Sequence, residues 1–413
     1  MPRVYTVNMT DLPPGFQART VRVLVAGQAL GGLGAGATLA IGSVLAAEMA
    51  GDAWAGAAAT LSTLGAAAAS IPLARLAQGF GRRWALAAGA ATALVGSVLT
   101  VIAVGIGLFP LLLVAYAMLG VGTSAGLQAR FAATDVAEPS RRGRDLSVVV
   151  WSTTVGVVVG PNLFGPGEVI AETLGLPLHT GSFVIAVAAQ IAATAVYLAG
   201  LRPDPLVLAQ GRPVLPAPAA EPGAVSGRPV LFFAIGALAL SHAVMVSVMS
   251  MTPVHLTNQG ASLTVVGFTI SLHVAGMFAF SPLWGWASDR LGRIPTILIG
   301  QLLFVVAILV LAIGERSNTA VAVGLVLLGL GWSAATVAAS ALVSDLVSGV
   351  ARVRIQGRSD MVMNIAGALG GALAGPTLAL VGYAGLSWIA GLLVVAVILA
   401  ASVIGQRVRV LRP

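Results

Sequence analysis

The chain is predicted to be an all-α integral membrane protein whose twelve transmembrane helices form two pseudo-symmetric six-helix bundles. Three observations carry that prediction. Of 413 residues, 58% are hydrophobic and only 9% charged, whereas a soluble domain carries roughly a quarter charged residues. The apolar residues gather in stretches of about 18 or more, the length that crosses the hydrocarbon core. The 22 basic residues, every one an Arg, fall almost entirely in alternate gaps between those stretches.

The first half is read as spans at 22–46, 54–78, 84–107, 109–131, 146–165 and 179–201, and the second as spans at 230–252, 263–286, 294–314, 319–343, 361–383 and 385–406. Each is long and uninterrupted, so its backbone hydrogen bonds close within the segment as lipid requires; a β-barrel would show short alternating strands instead. Residues 1–20 are polar and the first apolar stretch is long enough to span, so the first helix is expected to act as its own insertion signal rather than as a cleaved leader. The second span runs into Arg75, Arg82 and Arg83, the fourth into Arg130, Arg141, Arg142 and Arg144, and the sixth into Arg202, Arg212 and Arg228. The eighth is followed by Arg290 and Arg293, the tenth by Arg352, Arg354 and Arg358, and the last by Arg407, Arg409 and Arg412, while Arg3, Arg19 and Arg22 precede the first. Only Arg316 falls on the other side. The positive-inside rule therefore expects the Arg-rich face and both termini in the cytoplasm, in the bacterial cytoplasmic (inner) membrane. The net charge of +8 is thus a topology signal, and nucleic-acid binding is not expected.

Residues 202–229 hold Pro203, Pro205, Pro213, Pro216, Pro218, Pro222 and Pro229, a composition that neither packs nor forms a helix, and they read as a cytoplasmic linker between bundles at 1–201 and 230–413. The bundles echo one another. Gly81-Arg82-Arg83 recurs as Gly292-Arg293, Asp135 through Gly143-Arg144-Asp145 as Asp345 through Gly357-Arg358-Ser359-Asp360, and Gly156-x-x-x-Gly160-Pro161 as Gly371-x-x-x-Gly375-Pro376. Duplicated six-helix halves with a site between them are a transporter architecture. Most glycines, as in Gly27-x-x-x-Gly31 and Gly367-x-x-Gly370-Gly371, are expected to let helices approach closely, and Pro161 and Pro376 to kink their helices.

Gly285-Trp286-Ala287-Ser288-Asp289-Arg290-Leu291-Gly292-Arg293 resembles the G-x-x-x-D-R-x-G-R loop signature of the major facilitator superfamily. Its first-half copy keeps Gly81, Arg82 and Arg83 but has Ala74, Gln78 and Gly79 where Gly, Asp and Arg are expected. The resemblance implies the major facilitator fold and a charge-paired latch in which Asp289 and Arg290, with Gly285, Gly292 and Arg293, help set the conformational equilibrium.

Inside the membrane a polar group is costly unless used. All 14 acidic residues are read at span ends or in loops, Glu48, Asp52, Glu168, Glu172 and Glu315 on the outer side, which leaves no buried carboxylate to carry a proton. His242, His255 and His273 remain, together with Met245, Met249, Met251 and Met277. On a helix His242, Met245 and Met249 share one face, as do His273 and Met277. Because the two helices run antiparallel, Met245, His242, His273 and Met277 are expected at similar depth. Thioether sulfur suits Cu(I) and imidazole accepts several transition metals. With no Cys in the chain, thiolate sites and disulfides are excluded and the set favours a soft monovalent ion. The competing reading is that Met fills gaps in helix packing and that His carries a proton or touches an organic substrate.

Met245-Val-Ser-Val-Met249 and His273-Val-Ala-Gly-Met277 resemble the paired M-x-x-x-M and H-x-x-x-M motifs of CcoA-type copper importers. That resemblance implies a secondary transporter that brings copper across the cytoplasmic membrane by alternating access. Met245, Met249, His273 and Met277 would be its ligands, and His242 is added from helical spacing. Met251 and His255 are expected at the outer mouth. Copper is then cargo rather than cofactor, no cofactor is expected, a cytoplasmic copper chaperone is a candidate recipient, and the chain is expected to work as a monomer in lipid. The alternative is a proton-coupled drug or metabolite exporter of the same superfamily, in which His242 and His273 carry the proton and Gln28, Trp151, Trp332 and Asn364 contact the substrate. An enzyme is not expected: the chain shows no nucleophile with a base and no phosphate loop, so ATP is not the energy source.

Overall fold

The computed structural model describes residues 15–51, 54, 57–210, 227–347 and 350–410. Most of the expected linker, residues 211–226, lies outside them. Among the described residues the regular structure is entirely helical. The first half contains α1 (Phe16–Ala50), α2 (Ala57–Phe80), α3 (Arg82–Gly105), α4 (Phe109–Ala132), α5 (Arg142–Val159), α6 (Phe164–Leu174), α7 (Gly181–Gly200) and the short α8 (Pro205–Gln210). The second contains α9 (Gly227–Asn258), α10 (Leu263–Phe278), α11 (Ser281–Leu291), α12 (Arg293–Ile313), α13 (Asn318–Leu346) and α14 (Val350–Val410), which leaves helical geometry at Gly382, φ 72°.

Nine helical stretches among the described residues are long and apolar enough to cross a bilayer. The stretch 351–404 supplies two passes separated at Gly382, and α1 and the α5–α6 run bring the passes to the twelve the sequence predicts. The fifth pass is broken as Gly160-Pro161 foretells: α5 stops at Val159, a 3₁₀ turn spans Gly160–Leu163, and α6 follows. Proline lacks the N–H that would continue the α-helical ladder there. The eighth pass is likewise two helices, α10 and α11, with Pro282 in the first turn of α11.

Small residues set the helix spacing. A Cβ on Gly156 of α5 would lie 2.0 Å from the backbone carbon of Gly32 on α1, and one on Gly329 of α13 would lie 2.4 Å from the carbonyl oxygen of His273 on α10. At both places backbone meets backbone, which fixes α10 against α13 and so fixes where His273 points. Gly81 and Gly292 occupy equivalent turns in the two halves, with φ of 94° and 100°, a region that side-chain-bearing residues rarely adopt. Each turn starts a helix with an Arg at its first position.

Candidate functional site

The two halves are stitched together at the Arg-rich end. Gly285 of α11 crosses α5 so closely that a Cβ there would lie 2.1 Å from Ser147 Oγ and 2.6 Å from the Gly143 carbonyl oxygen. This crossing sets Asp289 over the first turn of α5, whose N–H groups have no partner within the helix. The Asp289 carboxylate accepts from the Gly143 N–H at 3.0 Å and the Arg144 N–H at 2.8 Å. A side chain of one half therefore caps a helix of the other, with its negative charge at the positive end of the dipole. The Gly292 turn brings Arg293 back onto Asp289, and Arg293 Nε also donates to Asp345 at 2.9 Å, as does Arg142 Nη1 at 2.9 Å. Arg290 does not join this network: it is exposed and lies over the Trp286 ring at 5.7 Å. One residue further along a helix than Asp289, it points about 100° away.

In the first half Arg82 takes the place of Arg293. It donates to Asp135 at 2.8 and 3.1 Å and across the halves to Gln356 at 2.7 Å, while Arg352 reaches back to the Thr134 carbonyl and hydroxyl at 2.9 and 2.8 Å. Hydrogen bonds that join the halves lie, among the described residues, toward the Arg-rich end. The protein is closed at that end. Removing the cross-half cap should loosen it. Asp289→Ala forfeits charge-assisted bonds of about 1.5–3 kcal/mol, so a cysteine placed at buried Ser344 in this otherwise Cys-free chain should react with an impermeant maleimide about tenfold faster in the variant.

Deeper in the same seam Arg130 of α4 meets Asp360 of α14 at 2.5 Å, with side chains 2% and 0% exposed. This corrects the expectation that every acidic residue sits at a span end or in a loop. The eleventh helix starts at Val350 rather than 361, and Asp360 lies three turns inside it. The sequence did hold a signal: Arg352, Gln356, Asp360 and Asn364 recur every fourth residue and so form one polar stripe, and all four are buried. Asn364 is tied into this stripe, its amide donating to the Asp360 carbonyl at 2.8 Å.

The second constellation is apolar apart from one ring. Met245 of α9 and Met277 of α10, 3% and 8% exposed, belong to one core cluster with Phe304, Leu325, Leu328 and Trp332, and Met249 packs against it. His273 is fully buried; its Nδ1 lies 2.7 Å from the Leu325 carbonyl oxygen, and Nε2 has no hydrogen-bond partner among the described residues. A carbonyl only accepts, so Nδ1 carries the proton and Nε2 keeps its lone pair. A ring nitrogen anchored to a backbone carbonyl, with the other left as a base, is the arrangement of a metal-ligating histidine.

His242 has the opposite tautomer. Trp332 Nε1 donates to His242 Nδ1 at 3.0 Å, so Nε2 bears the proton, and its ring packs against Gly367 of α14. Helical spacing placed His242 on the face of Met245, but the indole has taken its lone pair. His255, in the last turn of α9, stacks on Tyr383 of α14 at 4.0 Å and lies 2.7 Å from the Glu315 carbonyl oxygen in the connection between α12 and α13. Met251 turns toward Gly375 of α14. Gln28 donates to Thr153 at 3.0 Å within the first half, and Trp151 is half-exposed. No group of three or more His, Asp or Glu that could hold a metal exists among the described residues.

A profile of the Major Facilitator Superfamily matches residues 50–263 and 244–412. The chain is 34% identical over 398 residues to the MFS-type transporter YdeG of Bacillus subtilis (strain 168), covering 94% of this chain and 92% of that one. It is 28% identical over 386 residues to the riboflavin transporter RfnT of Brucella anthropi, with 90% and 92% covered. Among solved structures, the human organic anion transporter MFSD10 (TETRAN) superimposes with a TM-score of 0.75 at 16% identity, covering 94% of this chain and 100% of that one.

Proposed function

The chain belongs to the Major Facilitator Superfamily and is a transporter, and from that premise we propose that its cargo is copper, carried inward across the cytoplasmic membrane by alternating access. The Arg-rich end is then the cytoplasmic face, with both termini on that side, and the present structure is closed toward the cytoplasm. The observation that carries the reading is His273: buried, locked by Leu325 with its Nε2 lone pair free of any partner among the described residues, while Leu325 belongs to the core cluster that also holds Met245 and Met277. Two thioethers and a neutral imidazole suit Cu(I), and neutral ligands of modest strength can release it. Hard divalent ions have no comparable donor set among the described residues. The chain would act as a monomer in the bilayer and pass its ion to a cytoplasmic acceptor such as a copper chaperone.

A second reading, an aromatic organic cargo, draws on the similarity to the riboflavin transporter RfnT. The hydrogen-bonded His242–Trp332 pair, with Gln28, would then supply stacking and polar contacts.

Uptake of radioactive copper by cells lacking their own importer separates the two. Cells expressing the chain should accumulate copper above empty cells. Met245→Leu, which keeps the volume and removes the sulfur, should lower uptake about tenfold or more. Accumulation no higher than in empty cells rejects copper.

A further inference from the structure

We infer that the two halves share a binding site for the phosphate headgroup of an anionic phospholipid, built where α11 crosses α5, and that a lipid held there clasps the Arg-rich end shut. The inference takes only a membrane-spanning transporter from the reading above and does not depend on the cargo.

The crossing leaves an open cavity of about 440 Å³, lined by Ser140, Arg141 and Arg144 of the first half and by Trp286, Asp289 and Arg290 of the second. Asp289 does not set the charge of this cavity, because its oxygens are taken by the Gly143 and Arg144 N–H groups and by Arg293. In the adjoining ion pairs Arg142 and Arg293 stand against Asp289 and Asp345, so two positive charges cancel two negative ones. Arg141, Arg144 and Arg290 are exposed and make no ion pair among the described residues. The cavity thus gathers three guanidinium groups whose charge nothing nearby offsets. Their planar N–H forks match the oxygens of a phosphate.

The surroundings select a lipid over a soluble anion. On α11, Leu283, Trp286 and Arg290 recur at three- and four-residue spacing and so form one stripe, and all three are exposed. On α5, Arg144, Trp151 and Val155 form a second exposed stripe. Leu146 and Val150 of α5 pack instead on Val337 of α13, which turns that stripe away from the interior of the bundle. Each stripe passes from aliphatic surface through a Trp to an Arg, the order of hydrocarbon, interface and headgroup. Arg290 lies over the Trp286 ring at 5.7 Å. A phosphate among the guanidinium groups can lay its acyl chains along these stripes, whereas a soluble phosphate gains nothing from them.

The site is whole only while the halves touch. Arg141 and Arg144 come from one half, Trp286 and Arg290 from the other, and the close approach of Gly285 to Gly143 and Ser147 brings them together. Parting α5 from α11 divides the cavity. A ligand that binds the closed arrangement more tightly than the open one shifts the population toward it. Arg290, which the Asp289 network leaves out, thereby gains a task.

Purified full-length protein in detergent is titrated with phosphatidylglycerol, phosphatidylcholine or inorganic phosphate, and bound lipid is counted by native mass spectrometry. Phosphatidylglycerol should bind; Arg144→Gln and Arg290→Gln should each weaken it about fivefold, and together about twenty-five-fold. Arg354→Gln removes an exposed Arg of α14 that does not line the cavity and should leave the affinity unchanged. Equal binding of phosphatidylcholine, an equal loss in Arg354→Gln, or displacement of the lipid by inorganic phosphate overturns the proposal. In nanodiscs, replacing part of the phosphatidylcholine with phosphatidylglycerol should slow maleimide labelling of the Ser344→Cys variant about fivefold or more, and adding Arg290→Gln should abolish the difference. Lipid that binds without changing the labelling rate rejects the clasp. Because lipid and maleimide are the only probes, a protein that carries no copper still answers the question.

Discussion

Arg130→Met is expected to destabilise the protein by about 3–5 kcal/mol, and adding Asp360→Leu is expected to restore most of the loss. The asymmetry follows from where the charges sit. Both side chains are buried, 2% and 0% exposed, so each has given up its hydration, and their mutual attraction compensates for that loss. Removing the cation alone strands the carboxylate, which keeps its desolvation cost and loses the compensation. Removing both leaves two apolar side chains facing one another, which costs far less. The single variant should also be rescued by acid, because a protonated Asp360 has no charge to strand. Thermal unfolding of the parent, the two single variants and the double variant in detergent completes a double-mutant cycle. Single and double variants that melt alike would show that no buried pair exists.

The same residues show where reading the chain succeeds and where it stops. Spans, duplication and the Arg comb were legible because lipid imposes them on composition: an apolar stretch of given length and an Arg on one side are visible without knowing any contact. The Asp289 latch was legible because its glycines and charges are contiguous in sequence. Its partner was not, for nothing in the local sequence says that Asp289 would cap a helix 146 residues away. Asp360 was missed for a further reason. Arg352, Arg354, Arg358 and Asp360 lower the hydropathy of their window, so the sequence places the start of the eleventh span at 361, whereas the helix runs on from Val350 because Arg352 and Asp360 find partners in the other half while Arg354 and Arg358 stay exposed. The Arg-rich gaps thus hold more than the topology signal that composition suggests: Arg82, Arg130 and Arg352 are buried in the seam. The two histidines teach a complementary lesson. Spacing put His242 and His273 on equal terms; only their opposite hydrogen bonds, from Trp332 and to Leu325, distinguish a ring with an occupied Nδ1 from one with a free Nε2 lone pair.

His273→Ala is expected to abolish copper transport and to weaken Cu(I) binding by the purified protein by about a hundredfold or more, whereas His242→Ala should leave binding within about threefold. The difference rests on tautomers. At His273 the Leu325 carbonyl holds the Nδ1 proton, leaves Nε2 with its lone pair, and makes the ring a better donor to a metal. At His242 a metal would have to displace the Trp332 N–H from Nδ1 or the proton from Nε2. Alanine at 273 also removes packing volume and the partner of the Leu325 carbonyl, so lost transport alone would not distinguish a missing ligand from a damaged fold. Chelator competition in reducing solution, run beside the unfolding curves of the same preparations, does. If affinity falls while the unfolding midpoint of the metal-free protein stays within a few degrees of the parent, His273 is a ligand. If His242→Ala loses as much affinity as His273→Ala, the tautomer argument fails, and the pair His242–Trp332 moves to the centre of the site, where an organic cargo becomes the better reading.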